Sequence, residues 1–208
     1  MNDSVEIINK LIAKHNINAQ PIKVKDFIAY KIEANNLLSF LTILKESEDL
    51  RFTILTDLFG ADFPERARRF EVVYNLLSLK LNRRLLLKIA VAENETPLSI
   101  TKIFNAACWY EREIFDMFGI SFENSHDMRR ILTDYGFEGH PLRKDFPLTG
   151  YTQVKYDETL QKVIYEPVKL DIEYREFDFS SPWQGPSYVL PGDEKTTNVI
   201  PAKAGIQK

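Results

Sequence analysis

Glu111, Arg112, Glu113 and Asp116 place three carboxylates and a guanidinium within two helical turns. Paired carboxylates do acid–base work when one of them is buried and its pKa raised, because only then does it hold a proton near neutral pH. The structural alternative is that Arg112 and Asp116 pair at i,i+4 while the glutamates bind arginines of the following segment. Such ion pairing is the commoner source of a charged cluster. Cys108 stands between apolar neighbours and reads as a small hydrophobe, not as a nucleophile.

A second charged stretch, residues 127–145, sets Arg129, Arg130, Arg143 and Lys144 against Asp127, Asp134, Glu138 and Asp145. A phosphate or nucleic-acid groove needs a surplus of positive charge, and here the signs cancel. Interleaved charges point instead to bidentate ion pairs across a protein interface. Gly136 and Gly139 permit turns with positive φ around Phe137, yet no glycine-rich loop joins a strand to a helix, so a phosphate cradle is weak. His126 and His140 match no metal-ligand spacing and read as hydrogen-bonded structural histidines. The single cysteine excludes an intramolecular disulfide and cannot by itself hold zinc or an iron–sulfur cluster.

The elements that must position these groups follow from periodicity. Val5, Ile8, Leu11 and Ile12 form one face of a first helix, with Asp3 as its cap and Glu6 in capping-box spacing. Pro21 ends that region. Ile22, Val24, Ile28, Tyr30 and Ile32 alternate with lysines as one half-buried strand, irregular near Asp26. Asn35 or Asn36 caps a second helix carrying Leu37, Phe40, Leu41 and Leu44. Residues 51–56 read as a short strand and residues 59–66 as a loop. Phe70, Val72, Tyr74 and Leu76, then Leu85, Leu87, Ile89 and Val91, alternate along two strands joined as an antiparallel hairpin. A third helix from about Ser99 carries Ile103, Ala107, Tyr110, Ile114 and Phe118, and Gly119 stops it in a left-handed cap. The order αβαβββα predicts an α+β layer over residues 1–119, with helices on one face of a small mixed or antiparallel sheet.

Residues 120–187 read differently. Pro141, Pro147, Pro167, Pro182, Pro186 and Pro191 forbid long helices. Phe122, Tyr135, Phe137, Phe146, Tyr151, Tyr156, Tyr165, Tyr174, Phe177, Phe179 and Trp183 make an extended, aromatic-rich arm that is expected to lie against a partner's surface. Residues 188–208 read as a disordered tail.

Composition sets the bounds. A chain of 208 residues buries roughly 70% of its unfolded surface on folding, enough for a real core. With 27 basic against 30 acidic residues, a net charge of −3 recommends neither nucleic acid nor a strongly acidic partner. The longest apolar run, residues 106–110, is far short of the about 20 residues of a bilayer span. The first residues lack the features of a signal or transit peptide, so the chain is expected to stay where it is made.

Glu111-Arg112-Glu113-Ile114-Phe115-Asp116-Met117-Phe118-Gly119-Ile120, followed by Arg129-Arg130-Ile131-Leu132-Thr133-Asp134-Tyr135-Gly136-Phe137-Glu138-Gly139-His140-Pro141-Leu142-Arg143-Lys144-Asp145-Phe146-Pro147, resembles the signature of the C-subunit family of respiratory complex I, the NADH:quinone oxidoreductase. The resemblance extends upstream through Arg69-Phe70-Glu71-Val72-Val73-Tyr74 and downstream through Tyr165-Glu166-Pro167-Val168 and Ser181-Pro182-Trp183. One departure is Ser125-His126, where the family signature usually has histidine at the first of these positions. The resemblance implies a hydrophilic peripheral-arm subunit, on the cytoplasmic side of a bacterial inner membrane or the matrix side of a mitochondrial one. It implies a chain that binds no flavin, iron–sulfur cluster or quinone itself. FMN, clusters, NADH and quinone are then expected in partner subunits of the proton-translocating complex. The family role is to brace the quinone-side module by wrapping the D-subunit homologue and lying near the B-subunit homologue. Without the resemblance, a self-sufficient enzyme using Glu111, Glu113 and Asp116 stays open.

Overall fold

The protein is described by a computed structural model over residues 2–24 and 27–170. Helix α1 (Asn2–Lys14) leads into strands β1 (Ala19–Lys23) and β2 (Ile28–Ile32). A short 3₁₀ turn, Ala34–Asn36, precedes α2 (Leu37–Glu46). Strands β3 (Ile54–Asp62), β4 (Phe70–Ser78) and β5 (Arg83–Val91) follow, then α3 (Ala107–Phe118) and a separate ribbon of β6 (Thr152–Asp157) and β7 (Lys162–Pro167). Strands β1 to β5 make one mixed sheet in the order β1-β2-β5-β4-β3, all pairs antiparallel except β2 with β5.

Residues opposed in the ladders share a face. Tyr30, Leu87, Tyr74 and Leu58 therefore form one buried row across four strands. On this face α1 is tied by the Tyr30 hydroxyl, which donates to Asn9 Oδ1 at 2.9 Å. On the same face α3 lays Phe118 over Gly60, so closely that a Cβ there would come within 2.9 Å of the ring. Leu37, Phe40, Leu41 and Leu44 of α2 join the same core. The reverse face is more polar, with Lys88 reaching Glu71 at 2.8 Å. This is an α+β layer, with the β4–β5 hairpin in the place that alternation gives it.

Several expectations are corrected. Residues 22–32 are not one strand but parts of two, β1 and β2, paired antiparallel; Asp26 lies outside the described residues. Pro21 ends no helix. It sits inside β1, an edge strand, where its missing N–H costs no ladder bond. The helix α1 begins at Asn2, ahead of Asp3. Asn36 occupies the N-cap of α2 without a side-chain bond, because the preceding 3₁₀ turn already holds it in helical geometry. The strand expected over residues 51–56 is the longer β3, which starts at Ile54 and runs through the first half of the expected loop. The third helix starts at Ala107, not Ser99, because Ser99 N–H donates to Glu123 O at 2.8 Å and draws that segment away from helical pairing. Gly119 does take the left-handed cap, at φ 77°, with its N–H on Phe115 O.

Beyond Gly119 the chain keeps to the core at first: Ile120 and Phe122 are buried in it, so Phe122 belongs to no exposed strip. The described residues up to Val168 form one compact unit. The β6–β7 ribbon is an addition to the elements expected from periodicity, since the surrounding prolines mask its alternation. Tyr174, Phe177, Phe179, Trp183 and the tail 188–208 lie outside the described residues.

Candidate functional site: a polar staple and an aromatic cleft

The second half of α3 is where the charged motif resolves into partners. Asp116 is wholly buried, and its carboxylate accepts five hydrogen bonds. Oδ1 takes Arg130 Nη1 at 2.7 Å and the Thr133 hydroxyl. Oδ2 takes the N–H groups of Ile131, Leu132 and Thr133 at 3.0, 2.7 and 2.9 Å. Burial alone would raise its pKa, but the Thr133 hydroxyl and these three amides hold the carboxyl below the usual carboxylate range. Arg130 also donates to Gly139 O at 3.0 Å, and His140 Nδ1 lies 3.0 Å from Asp116 O. Gly139 needs its φ of 97°, a conformation that L side chains rarely adopt, and a Cβ there would meet Phe146.

Arg112 does not pair with Asp116. Its guanidinium reaches Arg129 O and Arg130 O at 2.9 and 3.0 Å and stands 3.6 Å from Asp127. Asp127 in turn takes Arg129 in a two-point pair. Glu111 faces the other way, accepting Ser99 Oγ and Ile100 N–H at 2.8 Å each. Burial pushes its carboxyl up, against these donors. Ser125 Oγ faces the same carboxylate outside hydrogen-bond geometry and is buried without a partner, which puts the departure from the signature beside Glu111. Glu113 is exposed. Glu111 and Asp116 therefore serve separate partners, Glu113 is left at the surface, and the three carboxylates do not converge on one site.

A second knot fastens the same loop to the sheet. Arg69, just before β4, grips the buried Asp62 at the end of β3 through Nε and Nη2, at 2.7 and 2.8 Å. Arg69 Nη1 reaches Asp145 at 3.0 Å, and Lys144 N–H donates to Asp62 Oδ2 at 2.8 Å. Arg69 holds both carboxyls below their ordinary range. Arg143 donates to Phe118 O at 2.7 Å and to Glu93 at 3.0 Å. Both guanidiniums, Arg69 and Arg143, stand near the centre of the Phe70 ring, at 5.2 and 5.1 Å, within cation–π range.

Of the interleaved charges, Asp127, Arg129, Arg130, Arg143 and Asp145 find charged partners within the chain, whereas Asp134, Glu138 and the Lys144 side chain have no ion pair among the described residues. Arg112, Asp116, Arg130 and Gly139 meet in one network, Arg143 and Asp145 in the other. Glu113 and the Lys144 side chain join neither. Asp62 and Glu93 escape the sequence reading. An acid on a strand next to an arginine-flanked hairpin is the available signal for Asp62, and nothing local marks Glu93.

What the staple carries is a cleft of about 550 Å³. Phe137, Phe146 and Tyr151 stack edge-on or tilted at 5.9 and 5.5 Å between centroids. Tyr165 of the ribbon closes the other side and donates to Asp134 at 2.8 Å. A loop with little regular structure is thus held open on one side by ion pairs and lined on the other by aromatic rings.

Residues 30–152 match the family model for the 30 kDa subunit of the respiratory-chain NADH dehydrogenase. The chain belongs to that family. The matched stretch covers the sheet from β2 onward, α3 and both polar knots, so the family's defining segment is the stapled unit itself. Relatives agree over greater length. The NADH-quinone oxidoreductase C subunit of Rickettsia felis is 71% identical over 203 residues, 98% of each chain. Its counterpart in Rickettsia bellii is 71% identical over 190 residues, 91% of this chain and 97% of the relative. Outside that genus, the corresponding C subunit of Ruegeria pomeroyi is 54% identical over 164 residues, 79% of this chain and 82% of the relative.

Proposed function

We propose that the chain is the C subunit of the proton-translocating NADH:quinone oxidoreductase and acts there as a bracing component without a reaction centre of its own. The observation that carries this reading is the fate of the charged signature. Five of its ionised groups, Arg112, Asp116, Arg130, Arg143 and Asp145, fix the 127–146 loop to α3 and the sheet, and Glu111, Glu113 and Asp116 do not converge on an acid–base set. A single cysteine supports the placement of iron–sulfur clusters in other subunits, and in this reading FMN is bound there too. In this reading residues 120–187 wrap the D-subunit homologue and approach the B-subunit homologue. NADH and quinone are bound by partners.

The complex is then peripheral to a bacterial inner membrane on the cytoplasmic side, or the matrix side if the chain were organelle-encoded. Among the described residues no helix is long and apolar enough to cross a membrane.

Two truncations test the reading. Removal of residues 196–208 should leave the amount of assembled complex and its quinone-reductase turnover nearly unchanged. Ending the chain before Tyr151 removes the ribbon and everything after it, and should abolish stable incorporation. Equal assembly of both truncations on native gels would overturn the bracing role, and flavin or iron bound stoichiometrically to the isolated chain would overturn the absence of a centre.

A further inference from the structure

The β6–β7 ribbon has two unlike faces. In its register Val154 opposes Tyr165 and Tyr156 opposes Val163, whereas Gln153 opposes Glu166, Lys155 opposes Ile164 and Asp157 opposes Lys162. The first set lies on one face and is apolar, yet each of these four side chains is 55–62% exposed. A lone two-stranded ribbon is marginal in water even with its apolar side covered. Here both its edges are unpaired among the described residues and its apolar side is bare.

That apolar face runs into the cleft, because Thr152 and Tyr165 stand on it and also line the cleft wall. Phe137, Phe146 and Tyr151 form the floor. Among the described residues the only charged ones lining the cleft are Asp134 and Glu138, and neither has an ion-pair partner there. The ribbon's own cations, Lys155 and Lys162, stand on its opposite face. Aromatic rings flanked by carboxylates that lack an ion pair select a cation carried on an apolar stem: the ring faces attract the charge, and its N–H groups go to Glu138 and to the remaining lone pairs of Asp134, which already takes the Tyr165 hydroxyl. A small apolar ligand leaves the carboxylates unused, and an anion is repelled.

We propose that the cleft and the apolar ribbon face together seat an extended segment of a neighbouring subunit, which places an arginine or lysine between Asp134 and Glu138 and apolar side chains on Val154, Tyr156 and Val163. The six residues of each strand give a track of about 20 Å, enough for one short extended stretch. This rests on the reading of the chain as a bracing subunit and supplies the chemistry of one contact.

The test uses the assembled complex in its membrane. A photoreactive benzoylphenylalanine replaces Tyr151, and in a second strain Tyr156, and cross-linked peptides are identified by mass spectrometry. The expected product joins either position to another subunit within a few residues of a lysine or arginine. Glu138→Gln, which keeps the shape and removes the charge, should lower the yield about three- to five-fold, the effect of losing one partly exposed charged contact. Cross-links confined to this chain's own residues 169–208, to lipid, or to a segment without a cation overturn the proposal. So does an unchanged yield in Glu138→Gln. Any of these leaves the bracing role standing, since that role fails on the truncations and not on this contact.

Discussion

Asp116→Asn removes the charge at the centre of the α3 knot and changes almost nothing in volume. The amide keeps one oxygen, and the best use of it is to satisfy the three N–H groups of Ile131, Leu132 and Thr133. Its NH₂ then faces the Thr133 hydroxyl, which can turn to accept, and Arg130, which cannot. Arg130 keeps only Gly139 O and Thr133 Oγ as partners. Breaking a buried ion pair by removing one member costs about 3–5 kcal/mol. The Arg130 side chain is 18% exposed, so water relieves part of the stranded charge and the lower end, about 3 kcal/mol, applies. For a chain of this size that corresponds to a fall in the unfolding midpoint of about 6–12 °C. Thermal unfolding of the purified chain measures the global loss, and amide hydrogen exchange at residues 131–133 tests its location. Asp127→Asn is the control and should move the midpoint far less, since Arg129 is largely exposed and Arg112, 3.6 Å away, keeps its bonds to Arg129 O and Arg130 O. A loss below about 1 kcal/mol with residues 131–133 still protected would refute the claim that this carboxylate fastens the loop.

Acid should loosen the knots before the core. The Asp62, Asp116 and Asp145 carboxyls are depressed in the folded chain, so their stabilisation is full above the unfolded carboxylate pKa of about 4 and is lost as pH falls through the folded values. Glu111 is raised and acts with the opposite sign, its contribution fading as pH climbs through its folded pKa. Unfolding midpoints from pH 7 down to about pH 2 should decline below about pH 4 and decline less steeply in Asp62→Asn, whereas a flat acid limb in the wild type contradicts this. Gly119→Ala should cost about 1–3 kcal/mol, because φ 77° disfavours a side chain and the new Cβ would sit 2.6 Å from His140 Nε2. Denaturant midpoints measure it, and an unchanged midpoint would show that the cap relaxes freely.

Strong local pattern was legible, and closure at a distance was not. The β4–β5 hairpin, the buried face of α2 and the Gly119 cap each follow from residues within one or two turns of each other. The second half of β3 escaped because Gly60 breaks its alternation, and the reason for Gly60 is Phe118, more than fifty residues later. The ribbon has a readable period-two pattern at Val154, Tyr156, Val163 and Tyr165, but nearby prolines weighed against any regular element. At the candidate site the residue types and the ion-pair chemistry could be read, yet the partners could not. Arg69 with Asp145, and Arg143 with Glu93, span 76 and 50 positions, and charge complementarity alone does not choose among so many acids.

The two outer strands of the main sheet are each ill-suited to recruit another strand. On β1, Pro21 offers no N–H to an incoming chain. On β3, the register shifts between Leu55 and Asp57, and the Tyr110 hydroxyl donates to Thr56 O at 3.2 Å, engaging a carbonyl that a newcomer would need. Growth by strand addition is thereby discouraged on the large sheet. Among the described strands it is left to the small ribbon, so the element whose apolar face the proposed contact would bury is also the one with open edges in an unassembled copy.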